Sequence, residues 1–241
     1  MISVCIATFN ASQYIREQLI SILDQLSMHD EVIISDDLST DDTINIIESI
    51  NDQRLRVIKG EKRLGVVKNF ERALYEANGE FVFLSDQDDV WLSNKVAECI
   101  HQLENHILVV SDCVVVDENL NQLHDSFFSL RGSKKGLMHN LYKNSYMGCC
   151  MAFRKSLLTY ALPMPKGLSM HDIWLGMLAE VKGSVCFLPK QLILYRRHAK
   201  NASHLNSNLR VLKKIQNRAK LFFYLTIRLI EISVVKKNSK I

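Results

Sequence analysis

The chain has 241 residues, of which 47% are hydrophobic and 23% charged, and a formal charge of +4. That balance excludes intrinsic disorder, and nine glycines with three prolines exclude a collagen-like or linker-rich chain. The length suits one large domain, or one domain with an appendage, with a core of its own.

Ile2–Thr8 is an apolar run that ends at Asn10 and reads as a buried strand, with no basic leader segment before it. Ser12–Leu26 carries Ile15, Leu19, Ile22, Leu23 and Leu26 at helical spacing. Glu31–Ser35 is a second strand. A helix striped by Ile44, Ile47 and Ile50 follows, for which Ser39 or Thr40 is the expected cap. Leu55–Ile58, a helix over Val66–Ala77 and a strand over Glu80–Leu84 complete a β-α-β-α-β-α-β order. Such alternation predicts parallel strands with right-handed crossovers, and ligands bind such sheets beyond the strands' carboxyl ends. Three polar clusters fall at that edge: Thr8-Phe9-Asn10, Asp36-Asp37 and Asp86-Gln87-Asp88-Asp89.

The order then changes. Leu92–Leu103 reads as a helix, Ile107–Val116 as a strand, 117–145 as polar and irregular, and Tyr146–Phe153 as a strand. Asp172–Val181 reads as a helix, followed by short strands over Val185–Leu188 and Leu192–Tyr195. The second half is therefore mixed α+β. The six cysteines contain no CxxC, lie mostly in apolar runs and read as small buried hydrophobes, as expected of a reducing cytosol.

Three carboxylates within the four residues Asp86–Asp89 repel one another unless a cation sits among them. Hard ions such as Mg²⁺ or Mn²⁺ take carboxylate oxygens together with substrate phosphates. An acidic turn leading into the next helix is the plainer alternative, and Asx-turn chemistry is the plainer alternative for Asp36-Asp37. No GxGxxG and no GxxxxGK[ST] follows a strand, which removes support for dinucleotide and P-loop readings.

The runs Ile6–Asn10, Asp36–Thr43, Gly65–Asn69 and Asp86–Asp89, continued by Gly148–Arg154, His171–Trp174 and Tyr195–His198, resemble the family 2 glycosyltransferases. That resemblance implies an α/β GT-A fold: a Rossmann-like, mostly parallel sheet with helices on both faces, a mixed acceptor half and a helical C-terminal tail. It divides the chain into a domain over 1–205, with a nucleotide-binding half 1–110 and an acceptor half 111–205, and a tail over 206–241. It implies an inverting, metal-dependent transfer of a sugar from a nucleotide-diphosphate sugar to a glycan or lipid-linked glycan acceptor. Ser85–Trp91 is similar to bacterial members that transfer rhamnose or related sugars in surface polysaccharide assembly, including O-antigen and capsule.

Carried onto this sequence, the family's roles give Thr8, Asn10, Asp36, Asp37, Asn69 and Asp86 to the nucleotide. Asp88, Asp86 and His198 go to a Mn²⁺ or Mg²⁺ ion, and Asp172 becomes the base that deprotonates the acceptor. Gly148, Cys149, His171 and Trp174 are expected near the sugar and acceptor, although Trp174 also reads as core and Asp172 as a helix cap. His171 departs from the acid many relatives carry before the base. A Gln-x-x-Arg-Trp signature of processive synthases is missing, which predicts one sugar per acceptor. The rival readings are a sugar-phosphate nucleotidylyltransferase, which lacks its Gly-rich basic loop here, and a non-catalytic nucleotide-sugar binder.

Charge is concentrated at the end. From Leu209 on, nine Lys or Arg face a single acid for a net +8, whereas residues 1–208 carry −4. The basic balance belongs to the tail, so nucleic acid is not an expected partner. Leu221–Val235 is too short and too charged to span a bilayer. Three readings stay open for this amphipathic segment: an anionic membrane surface, the domain itself, or a second copy. The expected location is the cytoplasm, with contact at the inner membrane face under the first reading.

Overall fold

The computed structural model describes residues 1–199, 201 and 211–238. Four apolar runs form β1 (Ile2–Thr8), β2 (Glu31–Asp36), β3 (Leu55–Lys59) and β4 (Phe81–Ser85), joined by α1 (Ile15–Leu23), α2 (Thr43–Ser49) and α3 (Val66–Tyr75). They pair in parallel in the order β3-β2-β1-β4. β1, β2 and β4 are buried almost throughout, which explains their near-continuous apolar sequence: helices cover both faces of the sheet. α1 turns Ile15, Leu19, Ile22 and Leu23 inward, and α3 does the same with Phe70, Ala73 and Leu74. Each such large side chain contributes about 1.5–3 kcal/mol. The register sets Thr8 beside Asp36 and Ile6 beside Ser85, so the three polar clusters leave the sheet at one edge.

The second half adds β5 (Val90–Trp91), α4 (Lys95–Leu103), β6 (Leu108–Val116), β7 (Gln122–His124), α5 (Phe127–Arg131), α6 (Leu137–Tyr142), β8 (Met151–Arg154), α7 (Leu158–Ala161), α8 (His171–Lys182), β9 (Val185–Arg196) and α9 (Val211–Asn238). β8 lies between β4 and β6, antiparallel to both; β9 runs parallel to β6 and β5 antiparallel to β9. The described residues thus form a sheet ordered β3-β2-β1-β4-β8-β6-β9-β5, with β7 paired to β6. This is the GT-A arrangement, a parallel nucleotide-type half continued by a mixed half.

Several expected boundaries move. Tyr146–Phe153 is not one strand: Gly148–Cys150 is a 3-10 turn closed by Cys150 N–H on the Met147 carbonyl at 3.1 Å, and pairing starts at Met151. Periodicity cannot distinguish a buried turn from a buried strand, and here the apolar residues lie beneath the site. Val185–Arg196 is a single strand whose register against β6 slips near Asp112. The region 117–145 holds β7, α5 and α6. Ser39 does not cap α2: its hydroxyl donates to Asp36 Oδ1 at 2.5 Å, while Asp41 Oδ1 accepts from Thr43 N–H at 3.1 Å. All six cysteines are free thiols, five of them buried. The boundary expected at 205/206 lies outside the described residues.

α9 packs its inner face on the domain. Leu221 and Leu225 are buried, and Tyr224 Oη donates to the Lys166 carbonyl at 2.8 Å. Arg228 donates to the carbonyls of Tyr160, Leu162 and Pro163 at 2.7, 3.2 and 2.6 Å, with its guanidinium 5.5 Å from the Trp174 ring centroid. No described helix is long and apolar enough to cross a membrane.

Candidate active site

The carboxyl edge of β1 and β2 is laced by its own side chains. Asp36 accepts from Thr8 Oγ1 at 3.1 Å and from Ser39 N–H at 2.9 Å. Asp37 accepts from Leu64 N–H at 2.6 Å, Gly65 N–H at 3.0 Å and Arg63 Nε at 3.1 Å. Gly65 opens α3 with φ of 78°, a left-handed conformation that favours glycine, and this lets the loop fold back onto Asp37. Arg63 lies 3.3 Å over the Phe9 ring, and Gln87 Oε1 accepts from Phe9 N–H at 2.7 Å, tying the first and third polar clusters together. Asn10 stands exposed at the lip with φ of 50°, its Oδ1 accepting from Thr40 N–H at 2.8 Å.

Asn69 requires a correction. Its Nδ2 donates to the Ser35 carbonyl at 2.8 Å and the Thr8 carbonyl at 3.3 Å, and its Oδ1 accepts from Ser35 Oγ at 2.6 Å and Arg72 at 2.9 Å. Buried with both amide atoms engaged, it holds the ends of β1 and β2 rather than facing a ligand.

The acidic turn after β4 divides. Asp88 Oδ2 meets His198 Nε2 at 2.8 Å and accepts from Asn201 Nδ2 at 3.2 Å. Asp89 is buried and Asp86 half-buried beside it, where their carboxylate oxygens and Cys149 Sγ lie within 4.8 Å of one another. Withdrawal from water, reinforced by the charges of Asp88 and Asp172, pushes Asp86 up to about 8. Burial, then Asp88 and Asp86, raises Asp89 as well. Asp89 Oδ2 is buried with no N–H or O–H donor among the described residues. An unsatisfied buried oxygen amid mutually repelling carboxylates fits a divalent cation.

Arg196, inside the Tyr195–His198 run but with no expected role, fixes this turn. Its backbone N–H donates to Asp89 Oδ1 at 3.0 Å, Nε to the Asp88 carbonyl at 2.8 Å and Nη1 to the Glu118 carbonyl at 2.8 Å, and it also pairs with Glu17. Its guanidinium sits 4.7 Å from the Tyr14 ring centroid, and Tyr14 in turn stacks on His198 at 4.9 Å.

Across the site, Asp172 lies in the first turn of α8, where the helix's positive end favours a carboxylate. Met170, not Asp172, is the N-cap residue; Asp172 Oδ1 instead accepts from Ile173 N–H at 2.6 Å. Burial raises Asp172 to about 6, against the opposing charge of Arg218 on α9. His171 stacks on Phe70 with centroids 4.0 Å apart, and neither ring nitrogen has a partner among the described residues. Burial drives it down to about 3, so it stays neutral. Gly148 is pressed against it: a Cβ there would stand 2.9 Å from His171 Nε2. Of the two readings of Trp174 the structure favours the core, because its ring is fully buried with Nε1 donating to the Ala161 carbonyl at 2.9 Å.

A parallel half-sheet with an acidic turn at its carboxyl edge, continued by a mixed half that carries Asp172, is the arrangement of the GT-A fold. The sequence model of glycosyl transferase family 2 matches residues 3–160, and the chain belongs to that family; it is a glycosyltransferase. Among its relatives, the dTDP-rhamnosyl transferase RfbG of Shigella flexneri is 29% identical over 215 residues, covering 81% of this chain and 72% of its own. WfgD of Escherichia coli, a UDP-Glc:alpha-D-GlcNAc-diphosphoundecaprenol beta-1,3-glucosyltransferase, is 26% identical and covers 75% of this chain and 70% of its own. The crystal structure of S. aureus TarS 1-349 with UDP-GlcNAc superposes with a TM-score of 0.68 at 23% identity, over 92% of this chain and 71% of that one.

Proposed function

We propose that the protein transfers a single sugar, with inversion, from a nucleoside-diphosphate sugar to a glycan or lipid-linked glycan acceptor in surface polysaccharide assembly. The observation that carries this reading is that one short turn adjoins both groups: a Cβ at Gly148 would stand 3.9 Å from Asp172 Cβ, and the Sγ of the next residue, Cys149, lies within 4.8 Å of the Asp86 carboxylate. Support for the acceptor class comes from the diphosphoundecaprenol substrate in the name of WfgD, and for a deoxysugar donor from the name of RfbG.

Thr8, Asn10, Asp36 and Asp37 shape the nucleotide end of the pocket. Asp86, with the unpartnered Asp89 Oδ2 beside it, and Asp88, backed by His198, would hold a Mn²⁺ or Mg²⁺ ion. When bound, such an ion stabilises the charge that builds on the departing diphosphate. Asp172 takes the proton from the acceptor hydroxyl as that oxygen attacks the anomeric carbon. The bond to the diphosphate oxygen breaks on the opposite face, and the nucleoside diphosphate leaves with the electron pair. In this reading Asp172 acts as the base and no described residue is assigned as a nucleophile, so the reaction is one displacement, hence inversion. Neutral His171, with Gly148 and Cys149, borders the sugar.

The test is product analysis by NMR with wild type and Asp172→Asn. Inverted product from wild type, with transfer lost but nucleotide binding kept in the variant, supports the reading. Undiminished transfer by Asp172→Asn contradicts it. A non-catalytic binder would show no transfer from wild type with any donor.

A further inference from the structure

The inner face of α9 is accounted for by the domain; its outer face is not. Ile215 and Ile230 are 59% exposed and Phe222 and Phe223 60%, with Ile227 and Val234 also exposed. At 3.6 residues per turn these six side chains share an arc of roughly 140°. Between Ile215 and Val234 no charged residue falls in that arc. Contiguous exposed apolar surface of this kind marks an interaction site.

The charges stand at its border. Lys213 and Lys220 are exposed on one flank, and Glu231 on the same flank is taken up by Arg228, Nε to Oε2 3.1 Å. We infer that the outer face of α9 lies on an anionic lipid surface, with Phe222 and Phe223 in the acyl boundary and the flanking lysines at the headgroups. A second copy is a poorer occupant, because pairing two such faces would bring two +8 segments together. α9 also carries Arg218, whose charge acts on Asp172, so lipid docking would put the acceptor side of the site beside the membrane. The placement of α9 does not depend on the proposed transfer reaction, and its test uses neither donor nor acceptor.

The experiment is co-sedimentation of the full chain with vesicles of phosphatidylglycerol and phosphatidylethanolamine, against phosphatidylcholine vesicles. Binding is expected to the anionic vesicles and to weaken as salt rises. Phe222→Ser with Phe223→Ser should reduce it at least tenfold with an unchanged melting temperature, since both rings are in water in the unbound protein. As a measurement independent of loss, Phe222→Trp should be quenched by brominated phosphatidylglycerol. Absence of vesicle binding by the wild type, or of quenching in Phe222→Trp, overturns the inference. So does a stable dimer in solution that the double serine variant dissociates, which would assign the face to a second copy.

Discussion

Asp88 and His198 stand 110 residues apart in the chain and meet at 2.8 Å, closing the acidic turn after β4 against the residues that follow β9. The contact joins the parallel half of the sheet to the mixed half at the place proposed for the cation. His198→Ala should therefore weaken Mn²⁺-dependent nucleotide binding without unfolding the chain. Calorimetric titration of a nucleoside diphosphate with and without Mn²⁺ checks this, and equal affinity in variant and wild type would exclude His198 from the site.

Asp172 sets a pH dependence. Burial raises its carboxyl to about 6, so below that value it holds a proton and cannot accept one from the acceptor. Transfer should fall as pH drops through about 6, an acidic limb lying above the ordinary carboxylate range. Asp172→Asn should reduce kcat roughly 10²–10⁴-fold with little change in donor binding. A flat wild-type profile between pH 5 and 7 would argue against Asp172 as the base.

Asp86 makes the opposite end of the site pH-sensitive in its own way. With its carboxyl pushed up to about 8, the cation must displace a proton at neutral pH and below. The rise in melting temperature on adding Mn²⁺ should thus be larger at pH 8.5 than at pH 6. An equal or reversed increment would show that Asp86 is not a ligand.

Arg196 is buried and distributes its donors over Asp88, Asp89 and Glu118. Arg196→Met keeps the backbone N–H on Asp89 but should cost about 1–3 kcal/mol for each of the Asp88 and Glu118 carbonyls that loses its side-chain donor. Denaturant unfolding measures the cost; a loss under 1 kcal/mol would mean that the turn is held by other contacts.

Gly148→Ala would set a methyl 2.9 Å from His171 Nε2, and the ring is pinned against Phe70. A destabilisation of about 1–3 kcal/mol is expected. In a His171→Ala background the same change should cost less, a coupling that a double-mutant cycle reads directly.

Much of this was legible in the residues. β1, β2 and β4 announce themselves because strands covered on both faces need uninterrupted apolar runs, and the polar residues that end them fall together once the strands are parallel. Asp86–Asp89 stood out by their mutual repulsion, a property of composition alone. Asn69 did not: a buried amide strut and a ligand-facing amide are the same letter, and only its four hydrogen bonds distinguish them. Arg196 was hidden likewise, since its acceptors are mainly backbone carbonyls from distant elements. The turn at Gly148–Cys150 looked like a strand because burial beneath the site demands the same apolar side chains.

The most direct measurement is a crystal of the protein with Mn²⁺ and a nucleoside diphosphate, examined for manganese anomalous scattering. The account predicts a peak bonded to Asp86 or Asp88 carboxylate oxygens and to diphosphate oxygens at the carboxyl end of β4. A bound nucleotide with no manganese at that turn would contradict it.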